Sequence, residues 1–164
     1  KYIIIYRNSN QSEDIITLTK FRKHCKSKKI AFFVSNNEKL ASTLKADGLY
    51  ISAHNSDLRL TKFKRSNLKL IGSAHNLREL NIKLLQGCKS IILSRLFKVS
   101  NSLKPGFLGV IKFNLFCLDK KIDLVPLGGI NIDNLQKLKM VKSKKFFDLF
   151  KSFRSMINFI FLIR

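Results

Sequence analysis

The residues of this chain that could do chemistry recur in one kind of place, the end of a short apolar run. Arg7-Asn8 follows YIIIY (2–6), and Ser35-Asn36-Asn37 follows IAFFV (30–34). Ser52-Ala53-His54-Asn55-Ser56-Asp57 follows GLYI (48–51), and Ser73-Ala74-His75-Asn76 follows LKLIG (68–72). SIIL (90–93) leads into a stretch that holds Lys104-Pro105-Gly106, and IDLVPL (122–127) ends at Gly128-Gly129-Ile130-Asn131. Adjacent glycines between a strand and a helix let the backbone approach a ligand. They leave N–H groups for a phosphate at the helix start, or else they form a tight strand-to-helix turn. No G-x-G-x-x-G follows the first run and no G-x-x-x-x-G-K-[ST] occurs, so the nucleotide-binding classes lose their usual support.

The elements that must position these tips follow from periodicity. Runs apolar throughout read as parallel strands buried on both faces. Helical spacing fills the gaps. Ser12 is the expected cap of a helix through Ile15, Ile16, Leu18, Phe21 and Arg22, and Asn37-Glu38 opens one through Leu40, Ala41 and Leu44. Asn76 caps a third, with Leu77, Leu80, Leu84 and Leu85 at helical spacing and Gly87 as its stop. Phe107 to Leu118 is a fourth, and Asn131 to Leu138 a fifth with Leu135 and Leu138 facing inward.

Alternating strands and helices imply an α/β fold with a parallel sheet, either a barrel or a doubly wound sheet. Polar tips at the same end of every strand suit a TIM (β/α)8 barrel, whose active site is built from the loops after the strands. A whole barrel usually takes at least ~200 residues. With 164 residues and a start at Lys1, this chain reads as one domain, 1–164, lacking the first βα unit or cut from a longer sequence. Phe146 to Arg164 reads as a closing strand plus an outer helix, or as a frayed or frame-shifted end. Lys151 and Arg154 leave it no run long enough for a bilayer.

Thirty-two Lys and Arg against ten Asp and Glu give a formal net charge of +22. Such a charge suits a polyanion partner, or reflects a composition rich in Lys, Asn, Ile and Phe. The cations are scattered rather than gathered, which favours the compositional reading. Their field would still draw in a phosphorylated ligand. Neither a nucleic acid nor a membrane is the expected partner. Cys25, Cys88 and Cys117 are widely spaced, with no metal-ligand cadence. Isolated thiols fit a reducing cytoplasm.

Four stretches together resemble a known family. They are Ala46-Asp47-Gly48-Leu49-Tyr50-Ile51, Ile71-Gly72-Ser73-Ala74-His75-Asn76, Phe97 followed by Lys104-Pro105 and Leu108-Gly109, and Val125-Pro126-Leu127-Gly128-Gly129-Ile130 with Asn134. Their order and spacing, from about Ile3 to Leu138, resemble thiamine phosphate synthase and its thiazole tautomerase relatives. The resemblance implies a TIM barrel. It also implies an enzyme that joins a pyrimidine pyrophosphate to a thiazole phosphate and releases pyrophosphate, with Mg²⁺ as cofactor and small phosphorylated molecules as substrates. It implies Arg7 near the pyrophosphate, Asn36 in the pyrimidine site, Ser73 at the reacting groups, Lys104 as a pyrophosphate clamp, and Gly128-Gly129 at the thiazole phosphate. His75 matches a histidine that moves a proton in the tautomerases, with packing or capping as its other reading. His54 sits at the same rim.

The chain departs from that pattern where metal is concerned. The family's first Mg²⁺-ligating Asp is Asn37 here, the second falls at Asn55, and Asp57 comes two residues late. Amides bind Mg²⁺ more weakly than carboxylates. Ile5 and Ser9 replace a Gln and a Lys, Val99 to Asn101 lack the expected threonines, and no Gly-rich phosphate segment is recognisable near Phe146 to Phe150. The expected function is a thiamine phosphate synthase-like transferase. The alternatives are a tautomerase-like or degenerate relative and, from another class, a basic nucleic-acid-binding domain.

Overall fold

The computed structural model describes residues 2–8, 14–65, 68–99, 106–118, 123–143, 148–150 and 159–163. Strands β1 (Tyr2–Tyr6), β2 (Ala31–Ser35), β3 (Gly48–Ile51), β4 (Lys69–Ala74), β5 (Ser90–Ser94) and β6 (Asp123–Leu127) pair in parallel, each with the next in sequence. Helices α1 (Ile15–Ser27), α2 (Glu38–Thr43), α3 (Leu77–Leu85) and α4 (Gly109–Leu118) and two 3-10 segments, Leu58–Arg65 and Ile132–Met140, connect them.

Parallel register puts two apolar faces on this sheet. On one, Ile5, Phe33, Tyr50, Ile71, Ile92 and Val125 form a single layer across six strands. On the other, Ile4, Phe32, Val34, Leu49, Ile51, Leu70, Ile91, Leu93 and Leu124 meet Leu18, Leu40, Leu80 and Phe113 from the helices. Burial on both faces is why the strands read as unbroken apolar runs. Gly48 is a glycine because a Cβ there would lie 2.1 Å from the Phe33 ring and 2.4 Å from the Lys69 carbonyl oxygen.

Six parallel strands in consecutive order give the parallel α/β sheet expected of a TIM-like fold, and a closed eight-unit barrel is not formed among the described residues. Three expectations are corrected. β8 (Phe159–Ile163) pairs antiparallel with β1, β7 (Asp148–Phe150) pairs antiparallel with β8, and among the described residues nothing joins β7 to β6. The tail expected to supply a strand and an outer helix thus adds strands to the opposite edge. The edge of β1 offers unpaired N–H and C=O groups, and the apolar FIFLI run satisfies them. The first helix is capped by Asp14, whose carboxylate accepts from the Ile16 and Thr17 N–H groups. Ser12 lies outside the described residues. The segment after β6 is 3-10 rather than α, and its Leu135 is 47% exposed rather than inward. Asn37, Asn76 and Gly87 do bound helices as the sequence implies.

The Asp47 carboxylate accepts from the Phe32 N–H at 2.8 Å and pairs with Arg22 at 3.0 Å, while Arg22 also donates to the Lys45 carbonyl. It ties α1, β2 and the turn before β3 together. Asp47→Ala strands a strand N–H and a half-buried guanidinium, and should cost about 2 kcal/mol of stability in urea unfolding. A loss under about 0.5 kcal/mol would show that this pairing does little. No helix among the described residues is long and apolar enough to cross a membrane.

Candidate active site

The described polar tips stand at the C-terminal ends of parallel strands, hence at one end of the sheet. The inward positions of the strands become polar there. Ser35, Ser73 and Ser94 follow Phe33, Ile71 and Ile92 on the same face, and Ser52 follows Tyr50 just past β3. A row of hydroxyls thus crowns the apolar layer. Ser73 is the most enclosed of them, at 7% exposure. Arg7, two residues past Ile5, is exposed beyond the end of β1.

Asn36 is the knot of the first half of the site. It sits at a positive φ of 54°, which turns its side chain toward the loop after β3. Its Nδ2 donates to Ser52 Oγ at 2.9 Å. Its Oδ1 accepts from the Ser52 N–H at 3.0 Å and from Asn55 Nδ2 at 3.2 Å. The loops after β2 and β3 are therefore one unit. The loop after β4 joins them through His54 and His75, whose ring centroids are 6.0 Å apart.

His75 also meets Glu79. The Glu79 carboxylate accepts the His75 backbone N–H at 2.7 Å and stands 3.0 Å from its ring Nδ1. Asn76 caps α3 by accepting the Glu79 N–H at 2.9 Å. Burial pushes the Glu79 carboxyl upward, but the bonds from His75 and Asn76 outweigh it and hold it below the usual 4.5. A carboxylate depressed in the folded state stabilises the fold above its unfolded pKa, and that contribution fades as pH falls through the folded one. The stability advantage of the native chain over Glu79→Gln should accordingly be present at neutral pH and vanish in acid, below pH 4.5, in urea titrations across pH. An advantage that persists unchanged in strong acid would contradict the pairing.

The second half of the site lies at β5 and β6. Gly128 and Gly129 have φ of 92° and 74°, a region that L side chains rarely adopt. Gly129 packs so closely on Phe97 that a Cβ would fall 2.2 Å from the Phe97 carbonyl oxygen. The Phe97 N–H donates to the Gly128 carbonyl, and the Leu96 N–H to the Leu127 carbonyl. Asn134 donates to the Gly129 carbonyl at 2.7 Å and forms a reciprocal cap with Asn131. With the carbonyls turned inward to these partners, neither glycine N–H has a backbone acceptor among the described residues. That leaves two adjacent donors at the start of the 3-10 segment. Lys104 lies outside the described residues, but both ends of its stretch are fixed. The Leu108 N–H donates to the Arg95 carbonyl at 2.8 Å and the Gly109 N–H to the Leu96 carbonyl at 2.9 Å. The stretch leaves and returns beside the glycine turn.

Each residue implied for Mg²⁺ has a protein partner in this structure. Asn37 Oδ1 accepts the Leu40 N–H at 2.9 Å as the cap of α2. Asn55 Oδ1 accepts the Asp57 N–H at 2.9 Å. The Asp57 carboxylate takes Arg59 through both oxygens, and that pairing holds it below the usual carboxylate range. No group of three His, Cys, Asp or Glu among the described residues could hold a metal ion.

Sequence reasoning missed two residues that shape the site from beneath. Lys83 on α3 and Gln86 at its C-terminal cap are both fully buried, and both donate to the backbone of the loop after β3. The signal was present, since Lys83 falls three residues after Leu80, on the face that packs on the sheet. The Leu85 assigned to that face is 57% exposed.

The family model described as thiamine monophosphate synthase matches residues 2–145. A thiamine-phosphate synthase of Prochlorococcus marinus is 29% identical over 122 residues, covering 74% of this chain and 35% of that protein. One from Methanococcus vannielii is 25% identical over 136 residues, 82% of this chain and 65% of that one. One from Clostridioides difficile is 27% identical over 142 residues, 84% and 66%. The chain thus spans between about a third and two thirds of the curated relatives' length. The solved thiamine phosphate pyrophosphorylase from Pyrococcus furiosus superposes with a TM-score of 0.64 at 22% identity, over 83% of this chain and 66% of that one, which is a likeness of fold. With its strand order, its glycine turn and its Ser-Ala-His rim in place, the chain belongs to the thiamine monophosphate synthase family.

Proposed function

We propose that this chain acts as a thiamine phosphate synthase, joining a pyrimidine pyrophosphate to a thiazole phosphate in thiamine biosynthesis. The observation that carries the reading is the convergence at one sheet end. The knotted loops after β2, β3 and β4 stand there with the glycine turn, beside which the Lys104 stretch is anchored.

The chemistry asks for little proton transfer. The bond between the pyrimidine methylene carbon and the pyrophosphate oxygen breaks, and the electron pair leaves with the pyrophosphate. The thiazole nitrogen then donates its lone pair to that carbon. A protein speeds such a step by receiving the departing negative charge and holding the two rings face to face. In this reading Arg7 and Lys104 receive the charge, and Asn36 orients the pyrimidine. Ser73 lies at the reacting groups, and the Gly128 and Gly129 N–H groups hold the thiazole phosphate. The scattered positive charge raises the local concentration of both phosphorylated substrates. Mg²⁺ belongs to the family reading; Asn37, Asn55 and Asp57 would be its protein donors, and it would add its charge to that of Arg7 and Lys104 at the departing pyrophosphate. A cytoplasmic setting agrees with Cys25 and Cys88, both unpaired thiols in the core.

Release of pyrophosphate should require both substrates together. Release with the pyrimidine pyrophosphate alone, at an undiminished rate, would instead indicate simple hydrolysis. A second reading, a thiazole phosphate tautomerase, is favoured by the His75–Glu79 pair. Its signature would be isomerisation of the thiazole phosphate with no pyrimidine present, lost in His75→Gln.

A further inference from the structure

A buried lysine is costly unless its ammonium is fully engaged, since removing a charge from water costs several kcal/mol. Lys83 has no exposed surface at all. Its stem runs along the outer side of β4 at Gly72, where a Cβ would lie 3.0 Å from both Lys83 Cγ and Cδ and 2.9 Å from Cys88 Sγ. The glycine is thus the space that admits the lysine. Its Nζ donates to the Asn55 backbone carbonyl and to Gln86 Oε1. Gln86, equally buried, donates through Nε2 to the Asn55 carbonyl at 3.0 Å and the Asp57 carbonyl at 3.1 Å. Two buried side chains, of α3 and of its C-terminal cap, therefore grip two carbonyls of the loop after β3.

An apolar side chain of the same length would fill this space without desolvating a charge. What the ammonium adds is a fixed position for Asn55. Asn55 in turn holds Asn36 through its side-chain amide at 3.2 Å, and Asn36 holds Ser52. The line from α3 to the rim is continuous: Lys83 and Gln86, the Asn55 backbone, the Asn36 amide, the Ser52 hydroxyl.

We propose that Lys83, admitted by Gly72 and supported by Gln86, is a positioning residue that sets the Asn36–Ser52–Asn55 cluster for the pyrimidine substrate. This rests on the synthase reading above. Lys83 has no exposed surface from which to reach a substrate. It acts through the loop, so its loss should be felt by one substrate and not the other.

The test uses the whole chain and three variants. Lys83→Met keeps the stem and deletes the ammonium. Gly72→Ala pushes on the stem from the sheet, and Lys83→Ala with Gly72→Ala relieves that contact while the one with Cys88 Sγ at 2.9 Å stays. The KM of each substrate and amide hydrogen exchange over residues 52–57 are measured at a temperature well below unfolding. Lys83→Met should raise the KM for the pyrimidine pyrophosphate about tenfold or more, since small misplacements of positioning groups have large effects. It should leave the thiazole phosphate KM within about twofold and speed exchange at 52–57. Gly72→Ala should act in the same direction in the native background and add nothing further to the pyrimidine pyrophosphate KM once Lys83 is Ala, whatever the remaining contact with Cys88 costs in stability. A lower melting temperature with both KM values and the 52–57 exchange unchanged would reduce Lys83 to packing and overturn the proposal. If the unmodified chain shows no turnover, the synthase reading falls and takes the substrate assignment with it. The exchange data still decide the grip on the loop, and unchanged exchange in Lys83→Met overturns that too.

Discussion

Lys104→Ala should lower turnover by about 10²–10³-fold, the range seen when a single group that stabilises developing negative charge is removed. The stretch that carries it is pinned at Arg95 and Leu96 on return and at Phe97 on departure, next to the glycine turn. A loss of turnover that leaves the melting temperature unchanged would assign the effect to chemistry rather than to folding. The same variant separates catalysis from a diffuse attraction to polyanions. Removing one charge from a net +22 scarcely alters general electrostatic binding. If Lys104→Ala keeps full turnover, the clamp assignment is wrong. If the unmodified chain instead binds nucleic acid with a steep salt dependence and no turnover, the basic-domain alternative gains.

Gly129→Ala should be severe in both fold and ligand binding. An alanine at φ 74° pays roughly 1–2 kcal/mol for its left-handed backbone alone. Its Cβ would also be forced to within 2.2 Å of the Phe97 carbonyl oxygen and 2.8 Å of that of Lys98, which are backbone atoms that cannot swing aside. The total should reach about 3 kcal/mol or more. The turn, displaced, should also lose its hold on the thiazole phosphate. Gly109→Ala provides the comparison. Its φ of 75° is nearly the same, yet a Cβ would find only a Phe107 ring carbon at 3.9 Å. Urea unfolding of both variants isolates the contact from the backbone strain. Equal losses would show that the close approach to Phe97 is unimportant.

Much of this arrangement is legible in the sequence, for physical reasons. Strands buried on both faces cannot alternate, so YIIIY, IAFFV, GLYI and IDLVPL announce themselves within a residue of their true limits. Asn37 and Asn76 are readable as caps because a short amide before an apolar helical pattern has one obvious use. The edge pairing was not readable. FIFLI is apolar whether it runs parallel or antiparallel, and nothing local says which edge it will meet. Leu135 was misjudged for a reason that periodicity does not supply: a 3-10 segment sets it on the same side as Leu138, yet only Leu138 packs against the core. The place of Lys83 on the buried face of α3 was readable from Leu80, but its partner, the Asn55 carbonyl nearly thirty residues away, was not, because carbonyls leave no trace in a pattern of side chains. At the site, the positions of Asn36, Ser73 and the glycine turn were visible as strand ends. The knot that joins Asn36, Ser52 and Asn55 depends on a left-handed Asn36, which residue type only permits.

The most direct test is product formation. The purified chain is incubated with the pyrimidine pyrophosphate and the thiazole phosphate, with and without Mg²⁺, and any thiamine phosphate is oxidised to fluorescent thiochrome. The account predicts fluorescence that requires both substrates and collapses in Lys104→Ala. No fluorescence from a sample shown to be folded by circular dichroism and cooperative unfolding would contradict it.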